Sequence, residues 1–303
     1  MRKEIYGYLA VIAAASMWGI GGSAAKALMN QDITPFLLVK IRLTLAFLLM
    51  VAGLFCYNRQ LLVIPRREIA YFAVLGTAGM ALLQFFYFYT ISLTNVATAV
   101  FLQYLAPVLM AVYAVLFEKE KLGWQRGSAV GLATLGGLMI MLNAGSTNIS
   151  LLGLASGLMA AVVMAFNTIY GRRGVRQYHP LTVVTYSFFF AALFWWLVSP
   201  DAWTAGVIHA GNWWLFMYIA VFATVVPFLL YFTGMRFLSP TNVGVTACLE
   251  PVIAAGVAYL TLGEVMGWLQ SCGGLLVIGA VILLQTSSEP QAAPTKDKQA
   301  DIV

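Results

Sequence analysis

Charge is what this sequence has least of. Eleven acidic and 17 basic residues make up only 9% of its 303 positions, where a water-soluble domain carries roughly 25%. Such a chain cannot coat a water-facing surface, which excludes a soluble enzyme and a nucleic-acid binder. Histidine is also scarce, with only His179 and His209, both between apolar runs. No apolar run therefore supplies an imidazole base, HExxH is absent, and intramembrane Ser-His and metalloprotease chemistry fall away. The three cysteines, Cys56, Cys248 and Cys272, lie in or at the ends of apolar runs. They read as small buried hydrophobes with no disulfide. No Cys/His grouping has metal-ligand spacing, no phosphate-binding GxxxxGK[ST] loop occurs, and no arginine array of the voltage-sensing kind is present. Neither a cofactor nor a metal is expected.

What the chain has in abundance is apolar length: 61% hydrophobic residues, 14% aromatics and a mean hydropathy of +0.87. Runs of spanning length read as Tyr6–Leu28, Pro35–Tyr57, Glu68–Ile91, Ala97–Phe117 and Gln125–Asn143. After a polar pause at Ala144–Asn148 come Ser150–Tyr170, Pro180–Val198, Asn212–Gly234, Thr241–Leu262 and Trp268–Gln285. Each can cross about 30 Å of hydrocarbon as a tilted helix. Ten such spans use about 200 residues and leave no room for a soluble catalytic domain. The first run is too long for a signal-peptide core and is kept as a helix. The polar tail 286–303 reads as disordered.

Lysine and arginine set the orientation. Loops after odd-numbered spans hold none. Loops after even-numbered spans and the two termini hold 14 of the 17: Arg2, Lys3, Arg59, Arg66, Arg67, Lys119, Lys121, Arg126, Arg172, Arg173, Arg176, Arg236, Lys296 and Lys298. Ten spans with both termini cytoplasmic satisfy all of them. The net charge of +6 is then explained by topology and anionic inner-leaflet lipid, without a nucleic acid.

The chain also repeats itself. At an offset of 144, Tyr87-Phe88 recurs as Tyr231-Phe232, Leu105 as Leu249 and Pro107-Val108 as Pro251-Val252; Glu120 matches Glu264, and Gly123-Trp124 matches Gly267-Trp268. At 145, Pro35 matches Pro180. Residues 1–143 and 144–285 therefore read as two five-helix units. Because five is odd, the second enters from the opposite side, and the units are inverted. Inverted halves can exchange conformations and open a central site to each side in turn. Simple duplication into a channel or scaffold bundle is the less favoured alternative.

These residues resemble a known family. Trp18-Gly19 in the first span, Arg42 in the second, and the LAPV and LEPV stretches at Leu105 and Leu249 are similar to the EamA-type branch of the drug/metabolite transporter superfamily. The Glu-x-x-Gly-Trp corners at Glu120 and Glu264 resemble the same branch. The first half departs from the pattern at Ala106, where the second half has Glu250, and at Lys119, where glycine is usual. The resemblance spans residues 6 to 285 and implies a ten-helix secondary transporter, often an exporter of amino acids or other small metabolites.

Glu250 is the one acidic residue well inside a span, next to Pro251. Ionising it there is costly. It reads equally as a proton-carrying or amine-binding carboxylate and as a structural partner for Arg42. Arg42 lies about 10 Å along its helix from Pro35 and is expected to face the bundle, binding a substrate carboxylate or neutralising Glu250. Lys40 and Lys26 are expected to snorkel outward. Gly76, Met80, Gln84 and Tyr87 share one face at α-helical spacing. With Trp18, Gln103, Tyr104, Asn167 and Tyr231, the residues Gln84 and Tyr87 are candidate substrate contacts in an aromatic cavity with a few polar groups. Tyr6, Tyr8, Tyr57, Tyr170, Trp213 and Trp214 read instead as interfacial belt aromatics. Gly123, Gly127 and Gly131, and the cluster Ser271 to Gly274, are expected to let helices approach closely in a static or dimeric seam. Gly19, Gly22 and Ser23 form a candidate flexing point.

The sequence thus describes an all-α, polytopic inner-membrane carrier of two inverted five-helix repeats. Its partners are a small-molecule substrate, membrane lipid and, as a candidate coupling ion, protons; the chain is a monomer or homodimer. The favoured substrate is a neutral or aromatic amino acid, with export preferred through the resemblance. A passive facilitator and a lipid-linked substrate translocase are the alternatives.

Overall fold

The computed structural model describes residues 2–29, 31, 33–121, 123–143, 150–198, 212–262 and 267–286, without the side chains of 2, 22–27, 143, 255, 258–262 and 286. The polar pause, His209, Glu264, the 286–303 tail beyond its first residue, and the side chains of Lys26 and Ser23 fall outside this set. Every regular element among the described residues is helical.

Two long helices come first, α1 (Arg2–Met29) and α2 (Pro35–Tyr57). Thr34 caps α2 by accepting from the Leu37 N–H, and Pro35 fits its first turn because that position needs no N–H. The next rod is α3 (Ile69–Val74), a π-helical stretch Leu75–Ala81, and α4 (Leu82–Leu93). Then follow α5 (Val96–Gln103) and α6 (Ala106–Leu116), α7 (Trp124–Asn143), α8 (Leu151–Gln177) and α9 (Pro180–Val198). A second composite rod joins α10 (Trp213–Ala220), the π-helical stretch Val221–Val225 and α11 (Val226–Phe237). The described chain closes with α12 (Pro240–Ala247), α13 (Leu249–Leu262) and α14 (Trp268–Thr286).

Among the described residues, eight helical segments are long and apolar enough to cross a membrane: 3–21, 35–57, 66–93, 96–116, 151–177, 180–198, 213–237 and 268–285. Large apolar side chains such as Leu48, Phe55, Val162, Leu275 and Ile282 point outward from them, which only a hydrocarbon solvent tolerates on this scale.

The departures from regular α-helix have sequence causes. Proline lacks an N–H and crowds the carbonyl four residues earlier. Four residues before Pro107 is Gln103, where α5 ends; four before Pro251 is Ala247, where α12 ends. Both breaks, at Tyr104-Leu105 and at Cys248, fall at positions 144 apart. The two π-helical stretches overlap at the same offset, since 75–81 becomes 219–225.

One end of the bundle gathers the arginines. There Arg126 pairs with Glu120 at 3.2 Å, Arg173 lies over the Tyr71 ring, and Thr182 and Tyr186 donate to the carbonyls of Leu61 and Leu62. Asn242 donates to Tyr8 at 2.9 Å, tying α12 to α1, and Tyr71 donates to the Tyr170 carbonyl at 2.7 Å. This end is closed by direct packing. Outside the spans, burial and the nearby Arg236 hold the His179 imidazole below its ordinary range.

Several expectations are corrected. Lys40 does not snorkel: it is 1% exposed, with its ammonium 3.8 Å from the centre of the Trp196 ring, a cation–π contact that replaces the headgroup region. Tyr8 is buried and hydrogen-bonded rather than a belt residue, and Tyr170 stacks on Tyr71. Tyr6, Tyr57, Trp213 and Trp214 are exposed, as expected of a belt. Of the cysteines only Cys248 is buried; Cys56 and Cys272 face outward. Nor does Gly131 mediate helix approach, because nothing lies within 4 Å of where its Cβ would be. The close crossing of α7 and α14 is made by Gly136 against Gly273.

Candidate functional site

Between the helices lies a partly open cavity. Its walls come from α1 (Trp18, Gly21), α2 (Arg42), α4 (Leu83, Gln84, Tyr87, Phe88) and α5 (Gln103), with Met164 of α8, Ile219 of α10, Ala223, Phe228 of α11 and Glu250 of α13 completing it. Trp18, Gln84, Tyr87, Gln103, Arg42 and Glu250, singled out from the sequence, are all among these walls.

Arg42 reaches the cavity because α2 turns it inward against the π-helical stretch Val221–Val225. Its Nε donates to Thr224 Oγ1 and its Nη2 to the carbonyl of Ala223, each at 2.5 Å. That carbonyl is available because its α-helical donor would be the N–H of residue 227, and residue 227 is proline. Trp18 Nε1 donates to the same oxygen at 3.2 Å. Thr224 in turn donates to the Ile219 carbonyl five residues back, a π-helical spacing. Thr224 and the Ala223 carbonyl were missed from sequence. The signal that finds them is Pro227, whose missing N–H leaves an acceptor at a calculable position. The guanidinium carbon also lies 5.0 Å from the Phe88 ring centre, and among the described residues Nη1 donates to no protein atom.

Glu250 sits in the first turn of α13, just past the break at Cys248. It is 7% exposed, and Tyr104, at the corresponding break between α5 and α6, donates its hydroxyl to Oε2 at 2.7 Å. The charged groups therefore do not pair with each other: no Arg42–Glu250 contact falls within 4 Å. Each is held by a different interrupted helix.

The remaining candidates separate. Tyr104 donates to Glu250 and borders a smaller apolar void with Phe101, Cys248 and Pro251. Asn167 and Tyr231 are fully buried and lie outside the cavity walls. The Tyr231 hydroxyl shares a 2.8 Å hydrogen bond with Thr168. The expected single face of Gly76, Met80, Gln84 and Tyr87 is broken by the π-helical stretch 75–81, which winds extra residues per turn. Gln84 and Tyr87 line the cavity, whereas Gly76 packs on Ser187 and Phe190 of α9.

A bundle of membrane-crossing helices, interrupted around a largely apolar cavity that carries a few polar and charged side chains, fits a membrane transporter rather than an enzyme. Residues 5–142 and 151–286 each match the EamA-like transporter family, and the chain belongs to that family. It is a multi-pass inner-membrane protein. It is similar to the inner membrane transporter YicL of Salmonella typhimurium, 27% identical over 94% of this chain and 97% of that protein. The threonine/homoserine exporter RhtA of Escherichia coli is 26% identical over 92% of this chain and 89% of its own length. The pseudopaline exporter CntI of Pseudomonas aeruginosa is 27% identical over 75% of this chain and 78% of its own length. A solved crystal structure superposes with a TM-score of 0.76, at 18% identity and covering 93% of this chain and 96% of that one. That likeness concerns the fold.

Proposed function

We propose that this protein is a secondary carrier for a small zwitterion, with a neutral or aromatic amino acid as substrate and export as the direction. The observation that carries the reading is an arginine and a glutamate lining one cavity without an ion pair between them, each hydrogen-bonded to other groups. Arg42, with Nη1 free, suits a carboxylate. Glu250, with Oε1 free of protein partners, suits an ammonium group or a proton. Trp18, Tyr87, Phe88 and Phe228 between them offer apolar and aromatic surface for a side chain. The names of RhtA and CntI, both exporters, support the direction.

In this reading the arginine-rich end is cytoplasmic. Ten helices form two inverted units, and repeat-related interruptions at 75–81 and 221–225, and at Tyr104 and Cys248, are where the halves flex during alternating access. Glu250, faced by Tyr104, Tyr87 and Arg42, exchanges a proton for the substrate amine.

The test is counterflow in proteoliposomes loaded with unlabelled phenylalanine and threonine and given the labelled forms outside, with and without an imposed pH gradient. Labelled solute should accumulate, the gradient should drive it, and Glu250→Gln should abolish the response to the gradient while the protein still folds. Accumulation indifferent to the gradient in the parent protein makes it a uniporter. Equilibration without counterflow makes it a channel and sinks the carrier reading.

A further inference from the structure

Beneath the cavity, on its arginine-rich side, lies a polar layer that the cavity does not use. Met164 is the α8 residue in the cavity wall, and Arg172 begins the basic cluster on the same helix. Eight residues separate them, about 12 Å of helix. Within that short plug, Thr168 pairs with Tyr231, the edge of Phe232 packs where Gly171 has no side chain, and Tyr71 stacks on Tyr170. Asn167 is the exception. It is 0% exposed, and neither its Oδ1 nor its Nδ2 has a hydrogen-bond partner.

The amide occupies space that Gly79 leaves open. A Cβ on Gly79 would come within 2.9 Å of Asn167 Oδ1, and Gly79 belongs to the π-helical stretch of the third rod. An amide with both ends unsatisfied is costly to keep in a closed core, where an apolar residue of similar size would carry no such penalty. The expense makes sense if the amide has partners in another state of the cycle.

We propose that Asn167 is a second substrate contact, on the cytoplasmic side of the cavity. When the helices part at the arginine-rich end, its amide meets the incoming solute, donating to a carboxylate or accepting from an ammonium group. The inference rests on the reading of the cavity as a zwitterion site. It adds a station one helical turn nearer the cytoplasm, used before the solute reaches Arg42 and Glu250.

Asn167→Cys, in a background with Cys56, Cys248 and Cys272 replaced by alanine, allows a direct test with a charged, membrane-impermeant methanethiosulfonate. The expected result is modification in inside-out vesicles but not in right-side-out vesicles, slowed by saturating phenylalanine and threonine. Failure to react from either face, or reaction from the external face alone, overturns the proposal. So does cytoplasmic reaction without protection in a protein whose counterflow is intact. Absence of counterflow in the parent protein, with cytoplasmic reaction retained, instead overturns the amino-acid reading of the cavity. As a second variant, Asn167→Leu should raise the half-saturation concentration on the cytoplasmic side about tenfold, as loss of one good hydrogen bond would. It should leave the external side unchanged and the fold at least as stable. A destabilised Asn167→Leu with unaltered kinetics would assign the amide to packing and refute the contact.

Discussion

Two glycines five residues apart on α7 should respond in opposite ways to one methyl group. At Gly136 an added Cβ would lie 2.5 Å from the Gly273 carbonyl oxygen and 2.8 Å from Val277 Cγ2. Ordinary contact begins at 3.4 Å, so α7 and α14 must separate by most of the 0.9 Å difference (3.4 − 2.5). Both obstacles sit on a neighbouring helix, one of them backbone, so no rotamer change relieves the overlap. Overpacking of this kind costs about 1–3 kcal/mol, and it also loosens the close backbone contact that substitutes for the hydrophobic effect between helices in lipid. Alanine recovers about 1 kcal/mol of helix propensity over glycine. The net for Gly136→Ala is then a loss of about 0–2 kcal/mol. Gly131→Ala meets nothing within 4 Å and keeps the propensity gain of about 1 kcal/mol. Unfolding of the purified variants in mixed micelles of sodium dodecyl sulfate and a mild detergent should therefore place Gly136→Ala about 1–3 kcal/mol below Gly131→Ala. Equal stabilities would refute the crossing geometry. Gly273→Ala, whose Cβ would meet the Gly136 carbonyl at 2.6 Å, should behave as Gly136→Ala does.

Arg42→Lys keeps the charge but not the planar fork that engages Thr224 and the Ala223 carbonyl together. Half-saturation in counterflow should rise at least tenfold, since hydrogen bonds to a charged group contribute about 1.5–3 kcal/mol, and unchanged kinetics would remove Arg42 from the site. At the arginine-rich end, His179 is held below its ordinary range. The unfolded chain therefore binds that proton more readily than the folded one. Its contribution to stability is complete above the ordinary histidine range and is lost as pH falls through the lowered value. His179→Gln should flatten the acid side of a stability–pH curve from about pH 6.5 downward without altering the transport response that Glu250→Gln removes. A curve identical to that of the parent protein would contradict this.

Much of the architecture could be read from residues. Apolar runs broken by charged or proline-bearing turns gave the helices to within a few positions, apart from α8, which continues seven residues past Tyr170 to Gln177. Its extra length carries Arg172, Arg173 and Arg176 on a solvent-reaching turn, where hydropathy no longer reports helix. The site was legible where a polar residue sat in an apolar run with no chemical excuse, as for Arg42, Gln84, Gln103 and Glu250. The shared helix face was misread where the argument relied on unbroken α-helical spacing. The π-helical stretch 75–81 sets Gly76 against α9 rather than in line with Gln84, and no periodicity count reveals the extra residue in that turn.

Composition alone determined that this chain dissolves in lipid rather than water, because 9% charge cannot cover a soluble surface. The spacing of its prolines determined where its helices would lose a hydrogen bond. Tertiary structure decided what fills those vacancies. Only the approach of α2 to the rod of α10 and α11 brings Arg42 to the carbonyl that Pro227 releases, and only the meeting of two broken helices puts Tyr104 on Glu250. Sequence suggested that Arg42 and Glu250 could neutralise each other. The fold holds each on a separate helix with separate hydrogen-bond partners.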